Sequence, residues 1–174
     1  MFELLQQRRS IRKFQARPVE PEKVERLSEA LLRAPTSRNL QPCQFLIVDD
    51  PQLIQGLSRS KAHGTGFLET APLAVVIAAD PQRSDVWIED CSIAAIIVQL
   101  AAEELGLKSC WGQLRQRPHN ERQSASDYAR QLLAVPAGFE VPIIIGLGYP
   151  AEEKEGHPRA ALPFDKLHHN RFSA

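Results

Sequence analysis

Leu73 to Ala79 is an unbroken apolar run, LAVVIAA, ended by Asp80-Pro81. A strand in which every residue is apolar offers no side to water, so it must be covered on both faces. Pro142 to Gly148 reads the same way and is closed by Gly148-Tyr149-Pro150. Between the two lies the longest helical segment, Trp87 to Leu105, whose middle from Ile93 to Val98 is apolar all round. Such a helix belongs in a core or against a second subunit. Gly106 stops it where a left-handed cap would stand.

The remaining chain alternates in the same manner. Glu3 to Arg8 reads as a short helix. Pro21 opens a second, in which Val24, Leu27, Leu31 and Ala34 fall at helical spacing until Pro35 ends it. Gln44 to Val48 reads as a strand, and Asp49-Asp50-Pro51 turns into a helix that runs to about Arg59. His63 to Gly66 reads as a loop, Lys108 to Leu114 as a strand, and Ser126 to Leu133 as a helix. The alternation argues for an α/β or α+β sandwich with a mixed sheet, and the length fits one domain spanning 1–174. The tail from Ala151 has little periodicity, yet it carries Leu162, Phe164, Leu167 and Phe172. It cannot fold alone and is expected to wrap over the body or a partner.

Lys plus Arg and Asp plus Glu both number 21, so no global field draws the chain to nucleic acid or an acidic membrane. The longest apolar run falls far short of the roughly 20 residues of a bilayer span. The first residues lack the apolar centre of a signal peptide, and the three cysteines (Cys43, Cys91, Cys110) show no CxxC spacing. The expectation is a cytoplasmic protein with buried thiols.

Against that neutral balance, Arg8-Arg9-Ser10-Ile11-Arg12-Lys13-Phe14 places four cations and a hydroxyl within six positions. Two readings stand: a solvated face or short nucleic-acid arm, and a pocket for one compact anion such as a cofactor phosphate. Ile11 and Phe14, set among the charges, argue for an anchored segment. No GxGxxG follows a strand, and no GxxxxGK[ST] or GxSxG is present. His157, His168 and His169 lack Cys or acidic residues spaced to complete a site, so no metal is expected. What remains is an anion site, a proline-bounded Asn/Gln loop from Pro35 to Pro42, and a Trp-Gly-Gln segment at a strand end. That inventory holds few acids or bases and fits a cofactor that carries the chemistry itself.

These residues resemble the flavin-dependent nitroreductase family from end to end, in a compact version. Arg8 to Phe14 is similar to its first flavin motif, and Pro35-Thr-Ser-Arg-Asn39-Leu-Gln41-Pro42 to its second. Ser109-Cys-Trp111-Gly112-Gln113 is similar to the third. Ile145-Gly146-Leu-Gly148-Tyr-Pro150, followed by His157-Pro-Arg159, resembles the last strand and the phosphate arginine. The resemblance implies a three-layer α/β/α sandwich of the α+β class around a mixed sheet, dimeric, with a C-terminal tail extending to the partner.

It also implies roles. Arg8, Ser10 and Arg159 would hold the phosphate of FMN, with Arg9 assisting and Arg12 near the pyrimidine edge. Backbone N–H groups around Gly112 and Gln113, beside Trp111, would face N5 and O4. Pro35, Thr36, Ser37, Asn39 and Gln41 would come from the other subunit of a homodimer. The chemistry would sit at flavin N5 with no catalytic side chain: NADH or NADPH delivers a hydride, and a nitroaromatic or quinone then takes its place, in ping-pong order. Two departures matter. Cys43 stands where Trp is usual, leaving a more open wall and a sulfur that is either a packing thiol or redox-active. Arg38 and Arg115 add cations near the expected pocket, as solvated surface or as contacts to an anionic acceptor. The competing expectations are a flavin store or sensor without efficient turnover, and a nucleic-acid module built on Arg8 to Lys13.

Overall fold

Both apolar runs become inner strands. The computed structural model describes residues 1–172. In chain order the elements are α1 (Phe2–Gln7), α2 (Pro21–Leu32), β1 (Cys43–Val48), α3 (Pro51–Ser58), β2 (Leu73–Ala79), α4 (Trp87–Glu104), β3 (Lys108–Gln113), α5 (Ala125–Leu132) and β4 (Glu140–Gly148). Short 3-10 turns stand at Ser37–Asn39, Gly66–Thr70, Arg159–Ala161 and Phe164–Lys166. The four strands form one sheet in the order β1-β2-β4-β3.

The expected mixed sheet is corrected: each neighbouring pair of these strands is antiparallel. The crossover through α4 does join two strands that run the same way, β2 and β3. β4 inserts between them and runs opposite to both. The parallel contact among the described residues is a single bridge from Ser10, which lies outside the strands, to Ser109 of β3.

Side chains alternate across β2, and the two faces are both covered. Leu73, Val75, Ile77 and Ala79 pack with Leu27 and Leu31 of α2 and with Ala94, Ala95 and Val98 of α4. Ala74, Val76 and Ala78 pack with Ile54 and Leu57 of α3, Phe67 and Leu68, and Ala125 and Ala129 of α5. The result is three layers, as expected. Removing each large aliphatic side chain from water contributes about 1.5–3 kcal/mol.

The helix ends follow local chemistry. Pro21 opens α2, where its missing N–H costs nothing. Asp50 caps α3 by accepting from the N–H groups of Gln52 (2.7 Å) and Leu53 (3.2 Å). Ser124 caps α5 through the N–H of Asp127. Gly106, at φ +73°, closes α4 and lets Leu107 N–H return to the Ala102 carbonyl. α4 is not buried all round in one chain: Ile93 and Ile96 remain 37 % and 39 % exposed.

The anchored reading of the basic run holds, since Ile11 and Phe14 are buried. From Ser10 to Gln15 the segment is stitched between the edge of β3 and the exit of β4. Ile11 N–H donates to Ser109 O, Gln15 N–H to Tyr149 O, and Ala151 N–H to Lys13 O. The tail then crosses α1, with Gly156 directly against the Gln6 carbonyl. Leu162, Phe164, Leu167 and Phe172 stay exposed.

Candidate functional site

The basic run holds an unusual surplus of charge. Among the described residues no carboxylate forms an ion pair with Arg8, Arg9, Arg12 or Lys13. The segment is nevertheless fixed. Glu152 accepts from the backbone N–H of Arg12 (2.5 Å) and from Lys154 Nζ (2.9 Å), and Lys154 also donates to the Ser10 carbonyl. The Arg12 N–H first, and Lys154 second, hold the Glu152 carboxyl below its ordinary value. Arg9 donates to the Glu155 carbonyl. The backbone is thus tied by the start of the tail while the guanidinium groups of Arg8 and Arg12 keep their donors for something else. A fixed cluster of cations whose side chains are paired with no carboxylate fits a phosphate ester.

Arg159 lies on the exposed tail with its guanidinium 5.0 Å from the Phe164 ring centre. Among the described residues no hydrogen bond or ring contact links it to the N-terminal run. It stands three residues beyond Gly156, so the chain that meets Gln6 carries it within roughly 10 Å of that crossing.

β3 supplies the second component. It is an edge strand, and Ile11 N–H takes the Ser109 carbonyl on its outer side. Backbone groups alternate sides along a strand, so Trp111 and Gln113 also turn theirs outward while Gly112 pairs inward with Ile144. Lys61 Nζ, bonded to the Gln113 carbonyl at 2.7 Å, agrees with that direction. Burial, with Arg117 nearby, lowers the Lys61 pKa. The Trp111 indole N–H donates to Gln113 Oε1 at 3.1 Å, which fixes both side chains. Gly112 is buried, and a Cβ there would meet Thr65, Phe67 and the Ile144 carbonyl at 3.4 Å. The Ser109 hydroxyl, beside this patch, is buried without a partner.

The third component lies elsewhere. Residues 35–41 precede β1, at the opposite edge of the sheet from β3. Three strand intervals separate the edges, roughly 14 Å. One chain therefore brings Arg8, Arg9, Ser10 and Arg12 to the β3 edge, but not Pro35, Thr36, Ser37, Asn39 and Gln41. The loop is built to hold a shape. Arg38, Asn39 and Gln41 all adopt positive φ, between 49° and 54°, which few side chains tolerate. Thr36 Oγ1 accepts from Gln41 N–H, Asn39 Oδ1 from Gln41 Nε2, and buried Asp90 from Ser37 N–H at 2.9 Å. Strain held this firmly is a mark of functional loops.

Some expectations change. Asp90, in the first turn of α4, is buried beneath this loop and accepts from Ser84. Arg38 is paired with Asp85, and Arg115 rests over the Trp87 ring. Glu152, Lys154 and Lys61 were missed, because each acts through a contact with a distant part of the chain.

The model of the nitroreductase family matches residues 5–65, which contain both the basic run and the strained loop. A protein of Archaeoglobus fulgidus, described as a putative NADH dehydrogenase/NAD(P)H nitroreductase, is 36 % identical over 158 residues, covering 88 % of this chain and 87 % of its own. The chain belongs to the nitroreductase family. An FMN-dependent nitroreductase from Clostridium difficile R20291 superposes with a TM-score of 0.97 at 44 % identity, over 99 % of this chain and 100 % of that one. The NADPH:FMN oxidoreductase of Vibrio harveyi, solved with NAD+, gives 0.80 at 25 % identity, over 99 % of this chain and 78 % of that one. The nitroreductase fold is thus carried here by a four-stranded antiparallel sheet. No helix among the described residues is long and apolar enough to cross a membrane.

Proposed function

We propose that this member of the family is an FMN-dependent NAD(P)H oxidoreductase, a cytoplasmic homodimer of one-domain subunits with a flavin site at each edge of the interface. The observation that carries the reading is the basic run: fixed in backbone, unpaired in charge, and laid beside the open edge of β3. Arg8 and Ser10 hold the ester phosphate, and Arg159 closes over it from the tail. Arg9 braces the ribityl side. Arg12 offers positive charge to the pyrimidine edge, where negative charge collects on reduction. The outward N–H of Gln113 meets the N5 and O4 side, with Trp111 fixing the Gln113 side chain and Gly112 keeping the strand close to its neighbours. The second copy's Pro35, Thr36, Ser37, Asn39 and Gln41 cover the ring, since the same residues of one chain stand a sheet's width away.

When bound, FMN supplies the two-electron chemistry, taking a hydride from a reduced nicotinamide and passing electrons to a nitroaromatic or quinone. The protein's part is binding, orientation and charge. Donor and acceptor share one face and bind in alternation, which is ping-pong order.

Anaerobic titration tests this. The purified protein is yellow, and stoichiometric NADH or NADPH bleaches the flavin absorbance, which a quinone then restores. Colour that persists through excess of both nucleotides identifies a store or sensor instead. A colourless protein that takes up no FMN defeats both readings.

A further inference from the structure

Cys43 opens β1 and Cys91 lies in the first turns of α4, yet their sulfur atoms are 3.5 Å apart. The two differ in access. Cys91 is fully buried, whereas Cys43 is half-buried and lines a cavity of about 420 Å³ with Thr36, Gln41, Arg83 and Asp90. Cys110, the remaining cysteine, is buried on the other side of the sheet. The pair is therefore one sulfur at a cavity wall and a second directly behind it.

We propose that Cys43 and Cys91 form a thiol–disulfide exchange site, which takes two electrons' worth of oxidation from low-molecular-weight disulfides such as oxidised glutathione. Cys43, as thiolate, attacks one sulfur of the disulfide. A bond forms between them, the disulfide's own bond breaks, and one thiolate leaves and takes up a proton. Cys91 then gives its proton to solvent and attacks the Cys43 sulfur. The Cys43–Cys91 bond forms and the second small thiol departs. Two protein thiols and one small disulfide become one protein disulfide and two small thiols. No reagent has to reach Cys91, because its target is the neighbouring sulfur. The contact between the two thiols lowers the pKa of Cys43, and the same pairing with burial raises that of Cys91. That order suits an attacking outer thiol and a resolving inner one. Oxidation has to close the sulfur gap from 3.5 Å to the ~2.05 Å of a disulfide. The exchange itself uses no flavin, and its readout by peptide mapping is separate from flavin content.

The test equilibrates the purified protein with excess oxidised glutathione, blocks free thiols in denaturant, and maps peptides by mass. The expected result is one disulfide joining the Cys43 and Cys91 peptides with Cys110 free, reversed by dithiothreitol. Cys91→Ser should stop at a single glutathione adduct on Cys43. In the native wild-type protein Cys43 should alkylate about tenfold faster than Cys110. Recovery of both Cys43 and Cys91 as free thiols from folded wild-type protein overturns the proposal, as does a disulfide that involves Cys110.

Discussion

Glu152 touches no expected ligand, yet its carboxylate holds the Arg12 N–H and Lys154 together. Its pKa lies below the ordinary 4.5, so its contribution is complete above that pH and fades as pH falls through the lowered value. The wild-type protein should therefore release flavin progressively below about pH 4.5. Glu152→Gln should already bind flavin more weakly at neutral pH, with a shallower acid limb, followed by flavin fluorescence. Identical acid limbs would show that Glu152 does not organise the run. At this scale the arginines were legible because guanidinium crowding in a neutral chain is a local signal. Glu152, Lys154 and Lys61 were not, because nothing in their neighbours says which distant backbone they will meet. The tie from Asp90 to the loop was hidden for the same reason: its partner Ser37 lies far away in the chain.

Elements were far easier to read. β2 was legible from end to end because continuous apolar composition needs no partner to be recognised. The turn Gly66–Thr70 was missed, since one short turn has no periodicity. The strand order was hidden because β4 reaches its place between β2 and β3 through contacts, and composition does not rank neighbours. Two glycines test the packing of these elements. A Cβ on Gly146 would lie 2.7 Å from Phe67 Cε2 and 3.0 Å from Leu68 Cδ2, so Gly146→Ala should cost about 1–3 kcal/mol, read as a lower urea midpoint. Gly156→Ala meets the Gln6 carbonyl, a backbone atom that cannot swing aside. It should lift the tail from α1 and lower flavin content while the urea midpoint changes little. Equal loss of both quantities would mean the tail is part of the core rather than a clasp on it.

For the whole molecule, the sheet's width separates two groups of residues that the proposed function needs together. In the proposed function a second copy supplies the missing group, with exposed Ile93, Ile96 and the tail's apolar residues as its surface. Mixing an Arg8→Ala subunit with an Asn39→Ala subunit should then regenerate one intact site per heterodimer and restore activity absent from either homodimer. No recovery after subunit exchange would place each site within one chain. The central claim is that the basic run and the tail clasp a phosphate. It is tested most directly by comparing FMN with riboflavin, which lacks that group, in the wild-type protein and in Arg8→Ala/Arg159→Ala. Charge-assisted hydrogen bonds of about 1.5–3 kcal/mol each predict that wild type prefers FMN by roughly 100-fold or more, and that the double variant loses most of the preference. Equal affinity for the two flavins in the wild-type protein, or an unchanged preference in the variant, would contradict the account.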